Sequence, residues 1–266
     1  MIPKIIHYCW FGRNPLPEMA LKCIESWKRY CPDYKIIEWN EDNFDVDALR
    51  YTKEAYECKK YAFVSDVARL KALYEVGGIY MDTDCEVIRN LDEFLNLEIF
   101  SGFEANDRAL TAIWGATKEN NVIKELLYYY NNKHFILENG MLNKTTNVTI
   151  FTNMFLKKGL VLNGKKQTVD NFTIFPPEFF CPKDVLTKDI IITENTYTIH
   201  HFDGSWLTEE EKLFQSIKAN LIKKFGINTG KFIYYIYFIL KNIEKNGISK
   251  TIKLVVHKYK NKYEKN

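Results

Sequence analysis

The stretch from Tyr61 to Val87, YAFVSDVARLKALYEVGGIYMDTDCEV, constrains this chain more than any other. It reads as a helix, a two-glycine turn and a short apolar strand that ends in Asp82-Thr83-Asp84. Phe63, Val67, Leu70 and Tyr74 fall on one face of the helix, while Asp66 and Arg69, three residues apart, share another. Gly77-Gly78 ends the helix and frees the backbone for a sharp entry into Ile79-Tyr80-Met81. Two carboxylates one residue apart at the end of a buried strand are costly out of water, so they call for a metal or a basic partner. Four charged groups converge on one point, and that point is the expected site.

Around this block the chain alternates. Residues 3–11, PKIIHYCWF, read as a buried first strand closed by Gly12, followed by a helix over 17–30 and a second strand over 34–39. A short helix is expected over 54–58. Strand, helix and strand at this spacing predict an α/β layer fold with parallel neighbours. The first strand of such a fold delivers ligand contacts at its C-terminal edge, where His7 and Trp10 lie. Downstream, strands are expected over 99–103, 110–116, 169–175 and 190–199, with 104–108 as a loop. Helices are expected over 120–131 and 145–158. The late stretch His200-His201-Phe202-Asp203-Gly204-Ser205-Trp206 follows the last strand region.

Length and composition bound the class. A chain of 266 residues, 46% hydrophobic and 27% charged, is an ordinary globular composition of one large domain or a domain with an appendage. Six cysteines without a CxxC pair point to a reducing compartment, with neither disulfides nor structural zinc. The N-terminus opens directly as a strand, so the chain is expected in the cytoplasm. The net charge of +3 hides a split. Thirteen Lys and two Glu between Lys212 and Asn266 give that stretch +11, leaving −8 on the rest. Residues 1–206 are therefore read as the catalytic domain. Residues 207–266 form a basic helical tail suited to an anionic membrane surface at the inner face of the cytoplasmic membrane. An acidic domain without interleaved Arg and aromatics argues against nucleic acid.

Asp82 and Asp84 with His201 make a set of hard oxygen ligands plus an imidazole, which suits Mn²⁺ or Mg²⁺ shared with a phosphate-bearing substrate. Ser205 and Trp206, close behind the histidine, are placed to cover metal-bound phosphates. PKIIHYCWFG, AFVSDVARLKALYEVGGIYMDTD and HHFDGSW together resemble the DXD-containing retaining glycosyltransferases. That group includes bacterial capsular polysaccharide synthesis enzymes, the yeast initiating mannosyltransferase and the large clostridial glucosylating toxins. The resemblance implies a GT-A fold, a Rossmann-like mixed sheet flanked by helices. It also implies a nucleotide-sugar donor, UDP-sugar before GDP-sugar, and transfer with retention to a glycan or lipid-linked acceptor.

Residue by residue, the resemblance implies that Trp10 stacks on the base. Ser65, Asp66 and Arg69 would hold ribose, sugar hydroxyls or phosphate, and Tyr80 would lie against the donor. Asp84 would ligate the metal directly, and Asp82 would reach the ribose or sugar as well. The late motif fits H-x-x-G from a related retaining family, which makes His201 the third ligand ahead of Asp203 and then His200. Glu104 and Asp107 are the only nucleophile candidates for a covalent route, with front-face attack as the alternative. Two other classes compete. An aspartyl phosphatase would also use a DxD but wants Thr or Val where Glu86 stands, and a non-enzymatic membrane binder would rest on the tail alone.

Overall fold

The computed structural model describes residues 1–109, 112–204, 207–248 and 250. They fall into two compact units, one of residues 1–184 and 189–206, the other of 185–188 and 207–266.

The first unit is built on a mixed sheet. Its chain begins with β1 (Ile5–Cys9), α1 (Glu18–Tyr30) and β2 (Lys35–Trp39), then α2 (Arg50–Glu57), α3 (Tyr61–Glu75) and β3 (Gly78–Met81). β1 pairs parallel with β2 on one side and with β3 on the other. The two crossovers thus leave in opposite directions, and the β1/β3 boundary is a topological switch point, where open α/β sheets carry their ligands. There follow β4 (Cys85–Val87), β5 (Ile99–Ala105), β6 (Arg108–Ala109) and β7 (Ile113–Ala116). Then come α4 (Asn121–Tyr130), α5 (Asn147–Lys157), β8 (Gln167–Val169), β9 (Phe172–Phe175), α6 (Pro177–Phe180) and β10 (Thr198–His200). The sheet runs β2-β1-β3-β7-β5-β9-β8, with β6 on β5, and β10 and β4 form a separate antiparallel pair.

Two apolar cores cover the sheet, one on each face. Tyr80 of β3 belongs to the core shared with α3 and α5, whereas Ile79 and Met81 belong to the core shared with α1 and α6. That alternation is the period-2 rule of a strand buried on both sides. The α1 helix buries Ala20, Cys23, Ile24 and Trp27, an i, i+3, i+4, i+7 stripe. The amphipathic face read for α3 is only part of its surface. Val64, Asp66, Val67, Ala68, Arg69, Leu70, Ala72 and Leu73 are all buried, so the helix is enclosed on most sides and takes its two charges inside with it.

Gly77 (φ +73°) and Gly78 (φ +120°) make the turn into β3, and a Cβ on Gly78 would stand 2.7 Å from the Ile5 carbonyl oxygen. Elsewhere the structure revises the sequence reading. The short second helix starts at Arg50 rather than 54, and the loop expected at 104–108 is a hairpin, with Glu104 still in β5 and Arg108 in β6. The single strand over 169–175 is two strands joined at Asp170 and Asn171, both with positive φ (51° and 63°). That is the backbone a two-residue hairpin needs. Of the strand expected over 190–199, β10 begins only at Thr198.

The second unit is a helical pair. α7 (Glu209–Phe225) opens with a capping box between Thr208 and Glu211 and ends at Gly226 (φ 77°), and α8 (Ile227–Asn246) follows at once. Gly230 of α8 sits against Ile222 of α7, where a Cβ would lie 2.5 Å from the Ile222 Cα. The Phe214 ring meets Tyr237 and Phe238 at 6.0 and 5.7 Å. No helix among the described residues is long and apolar enough to cross a membrane.

Candidate functional site

The end of β3 carries Asp82 to the rim of the sheet, and a turn closed by the Cys85 N–H on the Asp82 carbonyl (2.9 Å) leads directly into β4. α1 holds β4 in place: the Trp27 indole N–H donates to the Cys85 carbonyl (2.7 Å), and the Ser26 hydroxyl accepts from the Val87 N–H (2.9 Å). β10 straps the motif from the other side, with His200 opposite Cys85 and Ile199 opposite Glu86. Beyond β10 the His201 N–H reaches the Asp84 carbonyl (2.9 Å). The chain then turns through Phe202 in the left-handed region (φ 54°), and the Asp203 N–H donates to the Asp84 carboxylate (2.9 Å).

In this strapped arrangement His200 is the histidine that lies beside the aspartates. His200 Nε2 lies 3.4 Å from Asp84 Oδ1, and the ligand atoms of Asp82, Asp84 and His200 all lie within 4.8 Å of one another. His200 Nδ1 is buried without a hydrogen-bond partner among the described residues. His201, expected as the third ligand, instead faces Glu86 at 2.8 Å and receives the Lys183 ammonium on its backbone carbonyl. The two neighbouring histidines therefore meet different carboxylates, His200 that of Asp84 and His201 that of Glu86. Burial opposes the charge on His200, but Asp84 prevails and holds the imidazole well above its usual range. In turn His200 and the Asp203 N–H hold Asp84 low against its own burial.

Behind this cluster a second set of charges is locked together. One Arg69 guanidinium reaches Asp66 (3.3 Å) and Asp82 (3.2 Å), while the Tyr80 hydroxyl donates to Asp82 (2.7 Å). The guanidinium carbon lies 4.4 Å from the Tyr80 ring centre. Burial pushes the Asp66 carboxyl up to about 7; Arg69 opposes the rise and Asp82 adds to it. Asn147, at the start of α5, donates its amide to Asp66 at 2.6 Å. The sequence reading passed over Asn147, since no local pattern ties it to a helix 81 residues earlier.

The remaining expected residues take varied positions. Trp10 is half-buried just past β1, with its indole N–H on the Asn14 carbonyl (2.6 Å). Ser65 is half-buried and donates to the Tyr61 carbonyl at 3.1 Å. His7 is fully buried, with Nε2 on the Gly77 carbonyl (2.8 Å) and Nδ1 accepting from the Trp39 indole (3.0 Å). Burial lowers its pKa to about 4 against the Gly77 bond, so it is a neutral brace behind the Gly-Gly turn. Glu104 is half-buried, and burial raises its pKa against the pull of His200 and Arg108. Asp107 is 68% exposed and paired with its neighbour Arg108 (3.0 Å). Ser205 and Trp206 lie outside the described residues.

Residues 17–100 match the family described as "Glycosyltransferase sugar-binding region containing DXD motif". Inositol phosphoceramide mannosyltransferase 3 of Schizosaccharomyces pombe is 33% identical over 99 residues, covering 36% of this chain and 28% of the yeast protein. An uncharacterised glycosyltransferase of Acanthamoeba polyphaga mimivirus is 29% identical over 216 residues, covering 74% of this chain and 72% of the viral one. Among solved structures, the PaToxG glycosyltransferase is similar over 59% of this chain and 69% of its own, with a TM-score of 0.44 and 20% identity. The chain thus spans less than a third of the yeast relative but most of the viral one. The match over residues 17–100 contains the DXD motif itself, Asp82-Thr83-Asp84.

Proposed function

We propose that this protein is a metal-dependent, retaining glycosyltransferase of GT-A type. It would move a sugar from a nucleotide-sugar, UDP-linked before GDP-linked, to a glycan or lipid-linked acceptor in cell-surface polysaccharide synthesis. The observation that carries this reading is the Asp82, Asp84 and His200 cluster at the switch-point edge of the sheet. Two carboxylates and an imidazole within 4.8 Å of one another suit Mn²⁺ or Mg²⁺. When bound, such an ion offsets the charge that develops on a departing diphosphate.

The chain's own residues do the rest. Trp10, half-exposed past β1, is placed for a base to stack on, and Ser65 sits on the first turns of α3. Arg69 and Tyr80 hold Asp82 by two contacts, which fixes the carboxylate before any ligand arrives. Asp66, held by Asn147 and Arg69, is positioned to accept sugar or ribose hydroxyls. Ser205 and Trp206 stay in the proposal as a cover for the phosphates. Glu104, on β5, is the better of the two nucleophile candidates because it alone feels the charge of His200. A lipid-linked acceptor is supported by relatives whose names specify inositol phosphoceramide as the mannose acceptor. We further propose that the enzyme works in the cytoplasm, at the inner membrane face.

The test is hydrolysis of a panel of UDP- and GDP-sugars with Mn²⁺ and with EDTA, on wild type and Asp84→Asn. Metal-dependent turnover of one donor is expected, falling by about 10²–10³ in the variant with its melting transition retained. No turnover together with no metal-dependent nucleotide binding would overturn the transferase reading.

A further inference from the structure

α8 presents an apolar face that α7 does not cover. Phe232, Tyr235, Ile236, Ile239, Leu240 and Ile243 recur at i, i+3, i+4, i+7, i+8 and i+11, a single stripe along a helix of 20 residues. The opposite side is the one that meets α7, through Gly230, Tyr237 and Phe238. On the free stripe Phe232 is 64% and Leu240 60% exposed, and Tyr235 and Ile236 are exposed as well. No charged side chain interrupts it. The charges of α8 lie elsewhere on the helix: Lys241 pairs with Glu244 (2.7 Å), and Lys245 reaches Glu210 of α7 (2.6 Å).

We infer that this stripe lies flat in the surface of an anionic lipid bilayer, with the helix axis in the membrane plane. Three observations choose this occupant. The helix is not apolar enough to cross a membrane, yet one side is apolar throughout, which is the pattern of an interfacial helix rather than a spanning one. Lysines surround the stripe at both ends of the hairpin, with Lys223, Lys224 and Lys231 at one end and Lys250 at the other. The surrounding stretch from Lys212 to Asn266 carries +11. That charge is drawn to anionic headgroups and repels a second copy of the same surface, so it disfavours a dimer across the stripe.

The inference does not depend on the transferase reading, and its test needs no turnover. Full-length protein is floated with vesicles of phosphatidylcholine plus phosphatidylglycerol and with vesicles of phosphatidylcholine alone, at low and at high salt. Expected is binding to the anionic vesicles that weakens with salt and is absent on neutral ones. Ile236→Glu/Leu240→Glu should lower the partition coefficient at least about tenfold while circular dichroism and the melting transition stay as in wild type. A second, milder variant, Phe232→Ser, should lower it in the same direction without adding charge. Tryptophan-free positions on the stripe also allow a Tyr235→Trp reporter, whose emission should shift to the blue on anionic vesicles. Absence of binding, binding untouched by the stripe variants, or a dimer in solution that the stripe variants dissociate would each overturn the inference.

Discussion

Glu54 shows how much a single buried carboxylate can organise. It accepts from the backbone N–H groups of Phe135 (2.8 Å) and Ile136 (2.9 Å) and from Arg50 (2.7 Å), with the His134 ring at 3.4 Å. Burial works to raise its pKa, but these donors outweigh it and bring the value to about 2. A folded value below the unfolded one, about 4.3, means that the ionised group stabilises the fold above that unfolded value. The contribution is lost as pH falls through the folded value. Glu54→Gln should therefore cost about 1–3 kcal/mol at neutral pH, since the amide keeps an oxygen for the two backbone N–H groups but cannot accept from Arg50. Its stability should also fall less than that of wild type between about pH 4.3 and 2. Urea melts of both proteins across that range check this.

The two histidines carry a sharper prediction at the same scale. His200→Ala should weaken Mn²⁺ binding by about 10–100-fold, whereas His201→Ala should leave it within a factor of about two. Isothermal titration with the ion alone decides between them, and the opposite order would return the third ligand to His201. Nothing within HHFDGSW distinguishes these neighbours. The choice is made by the pairing of Ile199 with Glu86, more than a hundred residues away along the chain. The aspartates were legible because the Gly-Gly turn and the apolar strand that position them are local to them.

Among the elements, those with a local cause are the ones the sequence reading recovers. The α1 stripe is written at i, i+3, i+4 and i+7, and β1, β2 and β3 are apolar runs with turn residues at their ends. Asp170-Asn171 carried a hairpin signal within what was read as one strand, because both residues tolerate positive φ. The length of β10 had no such cue: its partner β4 is three residues long and sets where pairing can begin. In α3 the convergence of Asp66 and Arg69 on Asp82 is legible from their spacing and the adjacent DxD, whereas Asn147, which also meets Asp66, carries no local cue.

The turn before β3 gives the prediction at this scale. Gly78→Ala would force a Cβ against the Ile5 carbonyl oxygen at 2.7 Å and the His7 ring at 2.9 Å, on a backbone with φ +120°. The conformation alone costs about 1–3 kcal/mol and the contacts add to it. The urea midpoint should drop accordingly, and a midpoint equal to wild type would mean that the turn re-forms without strain.

For the whole molecule, ligand and fold are linked through the cluster at the sheet edge. An ion that binds only the folded chain stabilises it by about 2.7 kcal/mol when present at a hundred times its Kd. Mn²⁺ should thus raise the melting temperature of wild type and leave that of Asp84→Asn unchanged, a readout that needs neither donor nor acceptor. Equal shifts in both proteins would place the ion elsewhere. The charge is split along the sequence, −8 on residues 1–211 and +11 beyond, so solution behaviour should be more salt-sensitive than a net +3 implies.

The strap between β4 and β10 also orders events in time. Asp84 accepts from Asp203, a residue 119 positions later, and Glu86 meets His201 across 115. During synthesis at about 5–20 residues per second, roughly 6–24 s separate the emergence of the motif from that of the segment that completes it. Over that interval β1, β2 and β3 can already assemble, because their pairing needs only the first 81 residues. The nascent chain therefore holds the β1–β3 edge and both aspartates before His200 and its strap exist. The cluster of Asp82, Asp84 and His200 is completed last, as the final strand of the unit leaves the ribosome.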